Sequence, residues 1–227
     1  MQTKAFLAVF AALVQLGYSY GVPRCGKDFK NKKCAKVDGK EQCCSIAGYC
    51  GTTEEYCSVP GNCQPRFGTC DSKVTPAGLS TKGMHRSYDN SLPDKITKCS
   101  SPSTLALTFD DGPSKYTHEV LDVLKEFNAR ATFFLGGIIN GRGQIDDAWT
   151  PIVKRMVVEG HQIGSHTWSH PNMSEISSKS RKQEMYKNER AILNVIGKMP
   201  TFMRAPMVDC DASCMSDMKA LGYHIVT

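Results

Sequence analysis

Along the second half of this chain the apolar positions change period at regular intervals, alternating between short β-prone runs and stretches with a helical repeat. The run TLALTFDD (104–111) reads as a strand ending in two carboxylates. Val120, Val123, Leu124 and Phe127 then predict one apolar helical face, with Thr117 as its candidate cap, before the next strand, ATFFL (131–135). A helix over about 149–159 stops at Gly160 ahead of HQIGS (161–165). Another, carrying Met185, Ile192 and Ile196, stops at Gly197 ahead of PTFMR (200–204), and a last one stops at Gly222 ahead of YHIVT (223–227). Repeated helix, glycine, strand units predict an α/β fold with a parallel sheet wrapped by helices, whose functional residues belong at C-terminal strand ends. Asp110, Asp111, His166 and Arg204 all fall there.

The first half has no such rhythm. Residues 25–70 hold eight cysteines and almost no large aliphatic side chains, so disulfides have to replace a hydrophobic core. A zinc module is the alternative, and the adjacent Cys43 and Cys44 together with an oxidising setting argue against it. Residues 71–97 are polar, with scattered Gly, Pro, Ser and Thr, and read as a flexible linker. At the N-terminus Lys4 precedes the short apolar run AFLAVFAALVQL (5–16) and small residues, the pattern of a secretory signal peptide. The expected organisation is therefore signal peptide 1–19, cysteine-rich module 22–70, linker 71–97 and a larger domain 98–227.

Composition narrows the class. Eleven cysteines among 227 residues point to a secreted protein, extracellular or associated with a cell wall. A net charge of +6, spread along the chain without a basic stripe, argues against nucleic acid. No later run approaches membrane-helix length, so a soluble monomer is expected. Cys210 and Cys214, four residues apart, are expected to bridge, which leaves Cys99 unpaired.

The chemistry concentrates in two stretches. An Asp-Asp-Gly turn alone would be a surface turn. HTWSH, however, sets His166 and His170 four apart after an apolar strand, and two imidazoles with a carboxylate from a neighbouring strand end make a three-ligand metal site with open positions. Trp168 either lines the groove or packs. His85, His118, His161 and His224 have no partner in these stretches.

TFDDGP, HTWSH and the later RAP (204–206) resemble the first three motifs of the NodB-like polysaccharide deacetylases, the group that includes fungal chitin deacetylases. The resemblance runs from about Cys99 to the end and implies a distorted, here partial, (β/α) barrel. It implies Asp111, His166 and His170 as ligands of Zn²⁺, with Co²⁺ or another divalent ion possible, and Asp110 as general base. It also implies Arg204 as the residue orienting that base, and the backbone N–H of Met207 as oxyanion donor. An aromatic is usual where Met207 stands. The family continues past YHIVT with further strands, an Asp-Trp motif and a late histidine, none of which this sequence carries. It therefore reads as C-terminally truncated, with Cys99's partner in the absent part and weak activity expected.

The cysteine order of 25–70, with CCSIAGYCGTTEEYC (43–57), is similar to the hevein-like chitin-binding modules. That resemblance implies bridges Cys25–Cys44, Cys34–Cys50, Cys43–Cys57 and Cys63–Cys70. It further implies a sugar site of Ser45, Tyr49 and Tyr56 for chitin and N-acetylglucosamine oligomers, weakened where Ala47 replaces a third aromatic. Three functions follow: metal-dependent chitin deacetylation, chitin binding or masking with a degenerate second domain, and acetyl-ester hydrolysis on xylan, which the chitin-binding resemblance disfavours.

Overall fold

The computed structural model describes residues 22–57, 63–86, 88–138 and 143–227, apart from the Glu54 side chain; the signal-peptide reading of 1–19 falls outside them. Bridges Cys25–Cys44, Cys34–Cys50, Cys43–Cys57 and Cys63–Cys70 hold the small module, which contains one antiparallel pair, β1 (Cys43–Cys44) and β2 (Cys50–Gly51), and one helical turn, α1 (Glu54–Cys57). Its interior consists largely of these sulfurs, with Tyr56 and Phe67 packed against them. Each bridge of this kind stabilises by about 2–4 kcal/mol through the unfolded chain, which is what a core this small cannot supply.

The larger unit is a six-stranded parallel sheet in the order β3-β8-β7-β6-β5-β4. Its strands are β3 (Lys95–Ile96), β4 (Thr108–Gly112), β5 (Thr132–Leu135), β6 (Gln162–Ser165), β7 (Phe202–Met203) and β8 (His224–Val226). The helices between them are α2 (Thr117–Glu126), α3 (Thr150–Val158), α4 (Ser178–Ile196) and α5 (Ala212–Ala220). This is a partial barrel. β3 and β4 are the two edges, and both line one cavity of about 820 Å³ together with Cys99, Arg204 and Val226.

Four expectations need correction. The regular strand starts at Thr108 rather than Thr104, because Leu105 lies on the open side of the sheet and is 81% exposed. The buried stripe of α2 is Thr117, Leu121 and Leu124, with Val120 beside it; Val123 and Phe127 lie round the helix from that stripe and face solvent. Thr117 does not cap its own helix but accepts a hydrogen bond from the Ser114 N–H of the preceding turn.

The fourth concerns 71–97, which is no free tether. Thr81 is fully buried against Glu189, Arg86 pairs with Glu189, and Pro76 and Ala77 accept hydrogen bonds from Arg190 and Asn194 of α4. Lys95 and Ile96 pair with β8. The segment is a strap across α4 that ends as an edge strand, held by hydrogen bonds together with the apolar contact of Val74 and the stacking of Tyr88 on His224.

On its α5 side α4 buries charge as well. Arg181 donates to Asp217 Oδ2 at 2.7 Å, and Ser178 and Lys182 reach Asp217 Oδ1. Burial would raise the Asp217 carboxyl, but these three partners prevail and hold it down to about 2. A folded-state value below the unfolded one means the stabilisation is complete above about pH 4 and lost as pH falls through about 2. Asp217→Asn is thus expected to unfold more easily than wild type at pH 7 and equally easily below pH 2, as followed by denaturant titration across that range.

Candidate active site and metal centre

The paired register of β4 with β5 runs Phe109 to Phe133 and then Gly112 to Leu135, so β4 carries one extra residue at Asp110–Asp111. Asp111 has φ 62°. Strict alternation would have sent adjacent carboxylates to opposite faces; the bulge re-aims them. Asp110 Oδ1 accepts from Arg204 at 3.0 Å, while Asp111 Oδ1 lies 3.3 Å from His166 Nε2 and 3.0 Å from His170 Nε2.

The two histidines come from the loop after β6. His166 is nearly buried, and its Nδ1 stands 2.7 Å from the Arg204 carbonyl. A carbonyl only accepts, so Nδ1 carries the proton and a neutral His166 presents its Nε2 lone pair to Asp111. A lone pair facing a carboxylate oxygen at 3.3 Å repels unless a cation lies between or the ring is protonated. With protonated rings, hydrogen bonds from His166 first, then His170, hold the Asp111 carboxyl far below the usual carboxylate range. One oxygen and two nitrogens within 4.8 Å of one another, with Asp111 still 59% exposed, suit a divalent cation that keeps open positions. Cys25, Cys34 and Cys44 also cluster, but their sulfurs are consumed in disulfides.

Arg204 is fixed from several sides. Besides Asp110 it donates to Thr108 Oγ1 at 2.8 Å and to the Val226 carbonyl at 3.3 Å, and its guanidinium lies 4.6 Å over the Phe134 ring. Met207 stands on the Pro206–Val208 turn with φ 57° and an exposed side chain. A cavity of about 670 Å³ opens beside Asp110 and Asp111, walled by Phe109, Tyr116, Phe133 and Trp149.

Trp168 packs and does not line this groove. It is fully buried against Gly137, whose missing Cβ leaves room for the ring, and its indole N–H donates to the Asp71 carbonyl. His161 accepts the Ala131 N–H, His224 stacks on Tyr88, and His118 meets Arg155, all apart from the Asp111 cluster. Cys210 bridges Cys214, and Cys99 is exposed and free.

In the small module Ser45 is buried and its hydroxyl accepts the Tyr49 N–H at 3.1 Å. Tyr56 is half-buried over Gly51, leaving Tyr49 the more open ring. Sequence reading passed over Arg24, whose guanidinium is sandwiched 3.7 Å from the Phe29 ring and 3.8 Å from the Tyr49 ring, with donors on the Gly48 and Ala47 carbonyls. It occupies one face of Tyr49 and leaves the other face and the edge open.

Residues 97–226, more than half of the chain, match the family described as polysaccharide deacetylase. The chain belongs to the polysaccharide deacetylase family. Residues 24–70 match the chitin recognition protein family, consistent with a hevein-like module ahead of a NodB-like partial barrel. Among relatives of this chain, a chitin deacetylase of Pestalotiopsis sp is 43% identical over 152 residues, covering 66% of this chain and 50% of that protein. One of Colletotrichum lindemuthianum is 42% identical over 132 residues, covering 58% and 52%. The solved structure of a chitin deacetylase from Colletotrichum lindemuthianum aligns with TM-score 0.56 and 40% identity, over 59% of this chain and 58% of that one. The chain spans about half the length of the curated relatives it matches.

Proposed function

We propose that this chain removes N-acetyl groups from chitin outside the cell, releasing acetate and leaving free amines, with a zinc ion held by Asp111, His166 and His170. The observation that carries this is the segregation of the two adjacent carboxylates, one toward the imidazole pair and one toward Arg204. A chitin recognition module on the same chain and chitin deacetylases among its relatives support the substrate. Five disulfides among the described residues support an extracellular setting.

An amide resists neutral water, so the reaction needs an activated nucleophile and a stabilised oxyanion. When bound, the ion supplies Lewis acidity and makes water acidic enough to react near neutral pH. The chain's own groups do the rest. Asp110 takes the proton of the attacking water, and its pairing with Arg204 keeps the carboxylate oriented. The new C–O bond forms first as the carbonyl π pair moves onto oxygen, and the C–N bond then breaks as that pair returns and the protonated Asp110 carboxyl gives its proton to the leaving amine. The Met207 backbone N–H is the proposed oxyanion donor. In the module, Ser45, Tyr49 and Tyr56 are the proposed sugar contacts, holding polymer within reach of the site.

Incubating the chain with N-acetylglucosamine oligomers should release acetate, stop on removal of metal by a chelator, and resume when zinc is restored. Retention on chitin with no acetate release at any metal loading would replace this reading with that of a chitin-binding or chitin-masking protein.

A further inference from the structure

The loop that carries both imidazoles is held in a costly shape. Thr167 and His170 have φ 69° and 58°, left-handed values that residues other than glycine rarely adopt. Such a shape persists only if its surroundings fix it. Between the two histidines, Ser169 donates its backbone N–H to Glu184 Oε2 at 2.7 Å and its hydroxyl to Glu184 Oε1 at 2.9 Å. Glu184 lies on α4, almost wholly buried, and both its oxygens are engaged by this one loop residue. One turn further along, Asn188 donates to the Leu135 carbonyl and to Ser165 Oγ, tying the same helix face to the strand ends beneath the loop.

We propose that Glu184 is a positioning residue for the metal centre, setting the separation of His166 and His170 through its two hydrogen bonds to Ser169. A carboxylate placed in the interior is expensive unless bonded, and here the bonding partner is the residue next to a metal ligand. A purely structural acid would have been expected to bond within α4 or to a cation of the core. Lys187 of α4 acts on Glu184 only through its charge, and both carboxylate oxygens bond to the loop. The inference rests on the metal-dependent reading above.

The test is the zinc affinity of the full chain, measured by competition with a chromophoric chelator alongside thermal unfolding. Glu184→Ala should weaken zinc binding about 10–100-fold, the usual effect of losing an outer hydrogen-bond partner. Glu184→Gln, which can accept from the Ser169 N–H and donate to its hydroxyl, should restore affinity to within about threefold of wild type while Ser169→Ala falls between the two. Folded Glu184→Ala with wild-type affinity overturns the proposal. If Glu184→Ala does not fold, Ser169→Ala decides: a several-fold loss supports the role, and unchanged affinity overturns it. A wild-type chain that takes up no zinc removes the metal reading and this proposal with it, whereas wild-type uptake with indifferent variants removes this proposal alone.

Discussion

Asp110→Asn is expected to lower acetate release by about 10²–10⁴-fold while leaving zinc affinity within a few-fold of wild type, the range typical for loss of a general base. The separation of effects follows from the bulge in β4. Asp110 meets Arg204 and not the imidazoles, so an amide there keeps a partner for the guanidinium but can no longer take a proton. Asp111 is shared by both histidines, so Asp111→Asn should instead weaken the ion and lose turnover with it. Measuring zinc affinity and turnover on each variant reads the two roles independently. Equal loss of both quantities in Asp110→Asn would mean that the two carboxylates act as one ligand set and that the division of labour argued from the geometry is wrong.

How much of this was legible beforehand depends on where the partners lie in sequence. The four-residue spacing of His166 and His170 and the run of strand ends needed only local pattern, and the structure does gather those residues at one end of the sheet. The bulge was invisible, because an extra residue in β4 has meaning only against β5. Glu184 offered no signal: its place in α4 reads as an ordinary charged position, and its partner is fifteen residues away across a turn. Arg24 was equally silent, since a cation beside a cysteine does not announce the two rings that enclose it. In α2 a choice among overlapping apolar stripes was settled by the sheet, which took Leu121 in place of Phe127. The strap misled for a related reason. Low apolar content describes a solvated tether and a segment fastened by side-chain hydrogen bonds alike, and only the helix it lies on tells them apart.

That difference can be measured. Glu189 is fully buried and accepts from Arg86 Nε at 2.7 Å, from the Tyr223 hydroxyl at 2.9 Å and from the Thr81 hydroxyl. Two of those three partners come from the strap. Removing one member of a buried, hydrogen-bonded ion pair strands the other and costs about 3–5 kcal/mol. Glu189→Ala should therefore lower the unfolding free energy of the larger domain by that amount. Both tryptophans of the chain, Trp149 and Trp168, lie in this domain, so intrinsic fluorescence in denaturant follows it selectively. The same variant should make 71–97 a site of rapid proteolysis, because Arg86 and Thr81 lose their anchor together. Replacing Arg86 and Glu189 jointly by Met and Leu removes the stranded charge, so the double variant should recover part of the loss. A change below about 1 kcal/mol, within the range of ordinary surface substitutions and small ones elsewhere, together with unaltered proteolysis, would return 71–97 to the status of a free tether. With the strap fastened, the small module ends at Cys70, one residue before the Asp71 carbonyl that accepts the indole N–H of Trp168, so its attachment point lies against the loop that carries the two imidazoles.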